Sequence, residues 1–173
     1  FELGDGREWR FRAPRKFGRV YLVRDPAIIP GPLGPEPLTD AFTAEELAAC
    51  LARRKRVLKP LLLDQTFIAG IGNIYADEAL FHAGLRPTRR SDMLTAEEAG
   101  ALHAAIRKVL ALGIDRQGAS VRTYYTAEGK RGEMQDEFAV YDRTGQSCYN
   151  CCGPIERIVL GGRSTHFCPH CQR

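Results

Sequence analysis

A mainly helical α+β fold that ends in a cysteine-bound β-hairpin is predicted by three features of this chain. Thr43-Ala-Glu-Glu46 and Thr95-Ala-Glu-Glu98 are capping-box sequences, each placed to open a helix. Residues before position 25 alternate apolar and polar in the manner of strands. Cys148-Tyr-Asn-Cys151 and Cys168-Pro-His-Cys171 stand sixteen residues apart, and the segment between them reads as a hairpin.

Residues 1–25 come first. Trp9 and Phe11 on one side, Val20 and Leu22 on the other, flank the polar turn Arg15-Lys16-Phe17-Gly18. A lone hairpin is marginal in water, so these strands are expected to belong to a larger sheet whose other strands precede Phe1. A start without methionine reads as a truncation or a processed product. Residues 26–37 are rich in Pro and Gly and read as an extended linker.

Residues 38–135 form the helical part. The first capping box predicts a helix to about Arg54. The next begins near Arg56, with Pro60 either in its first turn or at a kink. After Ala69-Gly70-Ile71-Gly72, Asn73 is a good N-cap for a helix over Ile74–Ala83, with Gly84 as its stop. The second capping box opens a helix that puts Ala99, Leu102, Ile106, Val109 and Leu110 on one apolar face. Residues 117–135 show neither period, and a loop of that length in a compact protein is functional or disordered. In residues 136–173, Phe138–Tyr141 reads as a strand leading into the cysteine hairpin. There Ile155–Leu160 and Arg163–Phe167 are joined by Gly161-Gly162, a turn tolerant of positive φ.

Four thiolates at this spacing suit one tetrahedral Zn²⁺ held by Cys148, Cys151, Cys168 and Cys171, a closed structural site with no open position for substrate or activated water. The alternative is two disulfides in an oxidised protein. Cys50 and Cys152 are left unpaired, which suits a reducing cytoplasm.

Composition is that of a globular protein, 44% hydrophobic and 27% charged. No apolar run approaches the roughly 20 residues needed to span a bilayer. The net charge of +4 is unevenly spread. Arg53 to Lys59 holds five basic residues and no acid, while Asp25 to Ala52 holds five acids and no base. Arg86, Arg89 and Arg90 form a second basic cluster, and Arg157, Arg163 and Arg173 a third. Clusters of this kind beside a metal hairpin favour a polyanionic partner over ordinary solvated charge.

Between Lys55 and Asn73, two helices meet at a turn with two glycines. Exposed N–H groups at the second helix start, with its positive dipole, make a phosphate site, to which Lys59 adds a charge and Asn73 an amide donor. A plain helical hairpin with a capped second helix is the other reading.

Leu33-Gly-Pro-Glu-Pro-Leu38, Leu58-Lys-Pro60, Leu62-Leu-Asp-Gln65 and Ala69-Gly-Ile-Gly-Asn-Ile-Tyr-Ala-Asp-Glu-Ala-Leu-Phe81 resemble the formamidopyrimidine-DNA glycosylase family. So does the terminal cysteine pattern with Gly162-Arg163-Ser-Thr165 before its last knuckle. The resemblance runs through essentially the whole chain. It implies a helix–two-turn–helix element and a zinc ribbon, preceded by remnant strands of a catalytic β-sandwich domain. The implied activity is base-excision repair by a bifunctional glycosylase and AP lyase that removes oxidised purines, 8-oxoguanine and formamidopyrimidines, from duplex DNA. The implied protein is a cytoplasmic, nucleoid-associated monomer with one structural zinc and no membrane association.

By the same resemblance, Lys59, Asn73 and Arg163 bind backbone phosphates flanking the lesion. Phe17 fills the space left by the extruded base, and Arg15 bonds its orphaned partner, as an unstacked site requires. Ser120, Arg122, Thr123 and Tyr124 belong to the loop that closes over the damaged base. Glu78 is expected to support the helical turn. Cys152 stands where the family usually has glycine, and Met134 and Asp142 also differ from its commoner residues. The family's nucleophile, an N-terminal proline followed by an acidic residue, is not in this sequence, so the chain as given is expected to bind DNA without catalysis. Two other readings are an endonuclease VIII-like glycosylase for oxidised pyrimidines and a non-enzymatic zinc-ribbon nucleic-acid-binding module.

Overall fold

Apart from residues 12, 14–17, 26, 27, 29–32, 121–128 and 130, the chain is described by a computed structural model. It divides into two units, Phe1–Pro32 and Leu33–Arg173. The division falls inside the expected linker, and the second half of that linker is docked onto the helical unit. Gly34 N donates to Gln65 O at 2.8 Å, and Ala69 N donates to Pro35 O at 3.1 Å. Arg107 Nη1 donates to the carbonyls of Pro37 and Thr39, both at 2.8 Å.

In the first unit the pairing differs from expectation. Residues 1–3 pair with 7–9: Trp9 N donates to Phe1 O at 2.7 Å, and Leu3 N to Arg7 O at 2.8 Å. The Phe1 and Trp9 rings lie 5.0 Å apart. Among the described residues, positions 18–23 form no ladder, and Tyr21 and Leu22 are exposed. Arg15 and Phe17 lie outside the described residues.

The helical unit follows its sequence closely. Helix α1 spans Ala44–Ala52 and α4 spans Ala96–Asp115, and both predicted capping boxes are complete. Each satisfies two amides reciprocally through Thr and Glu side chains. Helix α2, Leu58–Leu62, is short, with Pro60 in its first turn, where a missing N–H is harmless. Helix α3 spans Asn73–His82, and its N-cap is Gly72, with Asn73 the first helical residue. The Asn73 side chain is engaged elsewhere and does not cap. Leu47, Leu58, Leu62, Leu80, Leu102 and Ile106 lead the buried core.

The ribbon consists of β1, Glu156–Leu160, antiparallel to β2, Arg163–Phe167. Leu160 pairs with Arg163, closing a two-residue loop in which Gly161 and Gly162 both have positive φ, +54° and +74°. That is the turn whose twist matches a hairpin, and glycine adopts it without steric penalty. Phe138–Tyr141 is not a strand. Its amides are taken by a carboxylate: Ala139 N and Tyr141 N each donate to Glu78 at 2.8 Å, and Val140 N at 3.0 Å.

The ribbon is joined to the helices at this point and at its end. Gln172, fully buried, accepts from Cys168 N through Oε1 and donates to Leu85 O through Nε2, both at 2.8 Å. Phe81, Val140, Cys148, Ile155 and Cys168 form a small second core beneath the hairpin.

Candidate nucleic-acid interface

The turn between α2 and α3 is built by two polar side chains. Asp64 Oδ1 accepts from Thr66 N at 3.1 Å and Thr66 Oγ1 at 2.7 Å, and Asp64 Oδ2 accepts from Arg56 at 2.7 Å. These donors hold its pKa down to about 2, the Arg56 hydrogen bond contributing most. Gln65 Nε2 donates to Ile71 O at 3.0 Å, while its Oε1 accepts from Gly70 N at 2.9 Å. Gly70, at φ +79°, makes the reversal that an L side chain resists. The chain then enters α3 at the exposed Gly72 with no side-chain cap. First-turn amides have no intrahelical acceptor, and the helix dipole is positive there.

The ribbon tip meets this end of the helical unit. Arg163 is exposed, and no ion pair among the described residues uses it. The next carbonyl, Ser164 O, accepts from Lys59 Nζ at 2.6 Å and from Asn73 Nδ2 at 3.1 Å. One turn further along α3, Asp77 Oδ2 accepts from His166 N at 2.9 Å, with His166 Nδ1 at 3.2 Å. Asp77 Oδ1 lies 2.6 Å from Lys59 Nζ, off the direction of a good hydrogen bond, so the approach acts as an ion pair. Both side chains are 0% exposed. Burial draws the Lys59 pKa below its ordinary value, the charge of Asp77 opposes this, and Arg163 adds to it.

Lys59 therefore departs from expectation. The resemblance implies a phosphate contact, yet the ammonium does not reach the surface and is already paired. The Asn73 amide nitrogen faces the ribbon, donating to Ser164 O at 3.1 Å with Ser164 Oγ at 3.4 Å, and its Oδ1 is buried and unpartnered. Of the three expected phosphate ligands, the structure brings Lys59 and Asn73 together on one carbonyl and leaves Arg163 free at the adjacent tip. Asp77, His166, Glu78 and Gln172 do the joining. The sequence signal was the pair Asp77-Glu78 inside an otherwise apolar helix, a pattern that demands buried partners.

Of the candidates in the loop, Ser120 is described and Arg122, Thr123 and Tyr124 lie outside the described residues. Ser120 is buried at the loop's neck: its Oγ accepts from Gly132 N at 2.8 Å, and its N donates to Gln135 Oε1 at 2.9 Å. Ala119 bridges Glu133, so the neck is closed by backbone pairing.

The cysteine sulfurs of 148, 151, 168 and 171 all lie within 4.8 Å of one another. Cys148 and Cys171 sulfurs are 3.8 Å apart, and those of Cys151 and Cys168 are 3.4 Å apart. Zn–S bonds of about 2.3 Å in a tetrahedron require edges of about 3.8 Å. The four cysteines fit one structural Zn²⁺, and none is in a disulfide. Cys152 is exposed and outside the cluster, at φ +59°.

A helix–two-turn–helix unit bearing a four-cysteine zinc ribbon defines a class of nucleic-acid-associated folds, and the comparisons narrow it. Residues 33–125 match the formamidopyrimidine-DNA glycosylase H2TH domain, and residues 145–173 match the zinc finger found in FPG and IleRS. The chain belongs to the formamidopyrimidine-DNA glycosylase family. A formamidopyrimidine-DNA glycosylase of Roseiflexus sp. is 50% identical across 99% of this chain and 63% of its own length. One from Chloroflexus aggregans is 51% identical with the same coverage. The MutM (Fpg) crystal structure from Thermus thermophilus superimposes with a TM-score of 0.87 at 46% identity, covering 92% of this chain and 62% of that one. Lactococcus lactis Fpg in complex with abasic-site DNA gives a TM-score of 0.78 at 40% identity, covering 86% and 54%. The chain thus spans just under two thirds of the length of the curated relatives cited.

Proposed function

We propose that this chain is the DNA-gripping portion of a glycosylase and AP lyase that removes oxidised purines from duplex DNA. The observation that carries this reading is the convergence of an uncapped helix end, at Gly72 and Asn73, with the unpaired Arg163 at the ribbon tip. Two unneutralised positive features placed side by side suit consecutive phosphates of one strand, and such contacts fix position without reading sequence. Arg163 and the first-turn amides of α3 are the proposed phosphate ligands, with Asn73 orienting the two. Arg15 and Phe17 are proposed to occupy the gap left by an extruded base. Arg122, Thr123 and Tyr124 are proposed to meet that base, with Ser120 holding the loop's neck. The zinc ribbon supplies rigidity and no chemistry. No helix among the described residues is long and apolar enough to cross a membrane, and the proposed protein works as a monomer beside DNA.

The test is duplex binding by the zinc-loaded chain, read by fluorescence anisotropy, on matched duplexes with an abasic analogue, 8-oxoguanine or no lesion. Tighter binding to damaged duplex is expected, with no covalent adduct on borohydride treatment. Equal affinity for all three duplexes would favour a simple nucleic-acid-binding module, and an adduct would reveal an amine placed for Schiff-base chemistry.

A further inference from the structure

Helix α3 and strand β2 are registered against each other by two helix side chains that bond the strand backbone. Asn73 and Asp77 are four residues apart, one turn of helix and about 6 Å of rise. Their partners, Ser164 O and His166 N, are two residues apart on an extended strand, about 6.6 Å. The spacings match, so both bonds form without distorting either element. Lys59, from α2, adds a third donor to the pair by bonding Ser164 O and facing Asp77. Three elements therefore meet at the Ser164 carbonyl, one residue past Arg163.

A buried ion pair is weak evidence for stability, because an apolar pair of similar volume often serves as well. Its value lies in fixing one arrangement. An apolar pair would fill the volume but would leave Ser164 O with Asn73 as its side-chain donor and His166 N without an acceptor, so one of the two bonds that register the hairpin on the helix would be lost.

We infer that Asp77, acting through Lys59 and the Ser164 peptide, is the positioning residue that sets Arg163 at a fixed distance from the α3 N-terminus. This rests on the DNA reading proposed above. Neither Asp77 nor Lys59 touches DNA; they determine where Arg163 stands when it does.

The experiment combines Lys59→Met with Asp77→Leu, each in wild-type and Arg163→Ala backgrounds, all zinc-loaded. The Lys59→Met/Asp77→Leu chain is expected to keep one zinc and its helicity with a modestly lowered unfolding midpoint, since removing the buried charges offsets only part of the loss of the His166 N acceptor. It should bind an abasic-analogue duplex about tenfold more weakly, the order of one lost charge-assisted contact. Arg163→Ala should weaken the wild type by a similar factor, yet add little in the Lys59→Met/Asp77→Leu background, because coupled residues are not additive. Without DNA, exchange of the His166 amide should accelerate while amides of the β1–β2 ladder stay protected. If the paired variant fails to fold, Lys59→Met/Asp77→Asn replaces it: both charges are removed together and an amide oxygen still accepts from His166 N, so that amide stays protected while affinity falls.

Unchanged duplex affinity, or an Arg163→Ala loss of full size in both backgrounds, would overturn the inference while leaving the DNA reading in place. A wild-type chain with no affinity for any duplex would overturn both, and that control tells the two failures apart.

Discussion

The carboxylate of Glu78 accepts the amide of Val140 at 3.0 Å, across 62 positions of sequence, and takes the neighbouring amides of Ala139 and Tyr141 at 2.8 Å. A side chain thus satisfies three consecutive backbone donors that a strand would have offered to a partner strand. Its neighbour Asp77 takes His166 N at 2.9 Å from the ribbon's other side. Adjacent acids on one buried helix therefore hold both the entry to the ribbon and its second strand.

Glu78→Ala should destabilise the chain by at least about 2 kcal/mol, because the buried amides of Ala139 and Val140 lose their acceptor and an unsatisfied buried donor costs about 1–3 kcal/mol, while water can reach the part-buried Tyr141 amide. Glu78→Gln keeps one oxygen but aims an NH₂ group at an amide donor, so it should recover only part of the loss. Urea unfolding of both variants checks this. A Glu78→Ala midpoint equal to wild type would mean that water serves these amides as well as the carboxylate does.

What the sequence revealed and what it hid divide by range. Thr43 and Glu46, or Thr95 and Glu98, lie three residues apart and form their capping boxes wherever the chain goes. Gly161-Gly162 closes the hairpin between Leu160 and Arg163 for the same local reason. The four cysteines announce their cluster by spacing. Phe138–Tyr141 looked like a strand because its residue types suit one; only Glu78, far away in sequence, shows where its amides go. Lys59 was legible as a cation near a phosphate-type turn, but nothing local says that Asp77 and the Ser164 carbonyl enclose it. Its residue type pointed to the right region of the fold, and the partners that enclose it come from far away in sequence.

Zinc removal should separate the two halves of the Leu33–Arg173 unit. A strong chelator is expected to release one zinc per chain and abolish the β1–β2 ladder, while α1 and α4, whose caps and core owe nothing to the metal, remain helical. Metal-binding free energy in such small sites is folding free energy. Zinc release followed by a chromophoric chelator, with circular dichroism of the same sample, checks both parts. Loss of all helicity on chelation would show that the helical core depends on the ribbon.

Asp64 should make the turn between α2 and α3 sensitive to acid. Its pKa is held at about 2, below the ordinary aspartate value of about 3.9 in the unfolded chain. A depressed acid stabilises the fold in its charged form, so the contribution is complete above about pH 4 and is lost as pH falls through about 2. Asp64→Asn should therefore lower stability at neutral pH, and the two unfolding curves should converge as pH approaches 2. A stability difference that stays constant from pH 7 to 2 would show that the hydrogen bonds, and not the charge, carry the effect.

Cys152 stands where the family resemblance implies glycine, and its backbone shows why glycine would suit the position. At φ +59° it sits in the left-handed region, which costs an L side chain about 1–2 kcal/mol. Glycine removes that strain but gives back roughly 0.5–1 kcal/mol through the greater freedom of the unfolded chain. The strain is the larger of the two, so Cys152→Gly should stabilise the ribbon by about 0.5–1 kcal/mol. Zinc should remain at one per chain with unchanged affinity, because the sulfur of Cys152 lies outside the four-sulfur cluster. Thermal unfolding and a zinc competition titration on the same protein decide the matter. A drop in zinc affinity would make Cys152 a ligand in exchange with Cys151, and the knuckle would then have to be redrawn around the second cysteine.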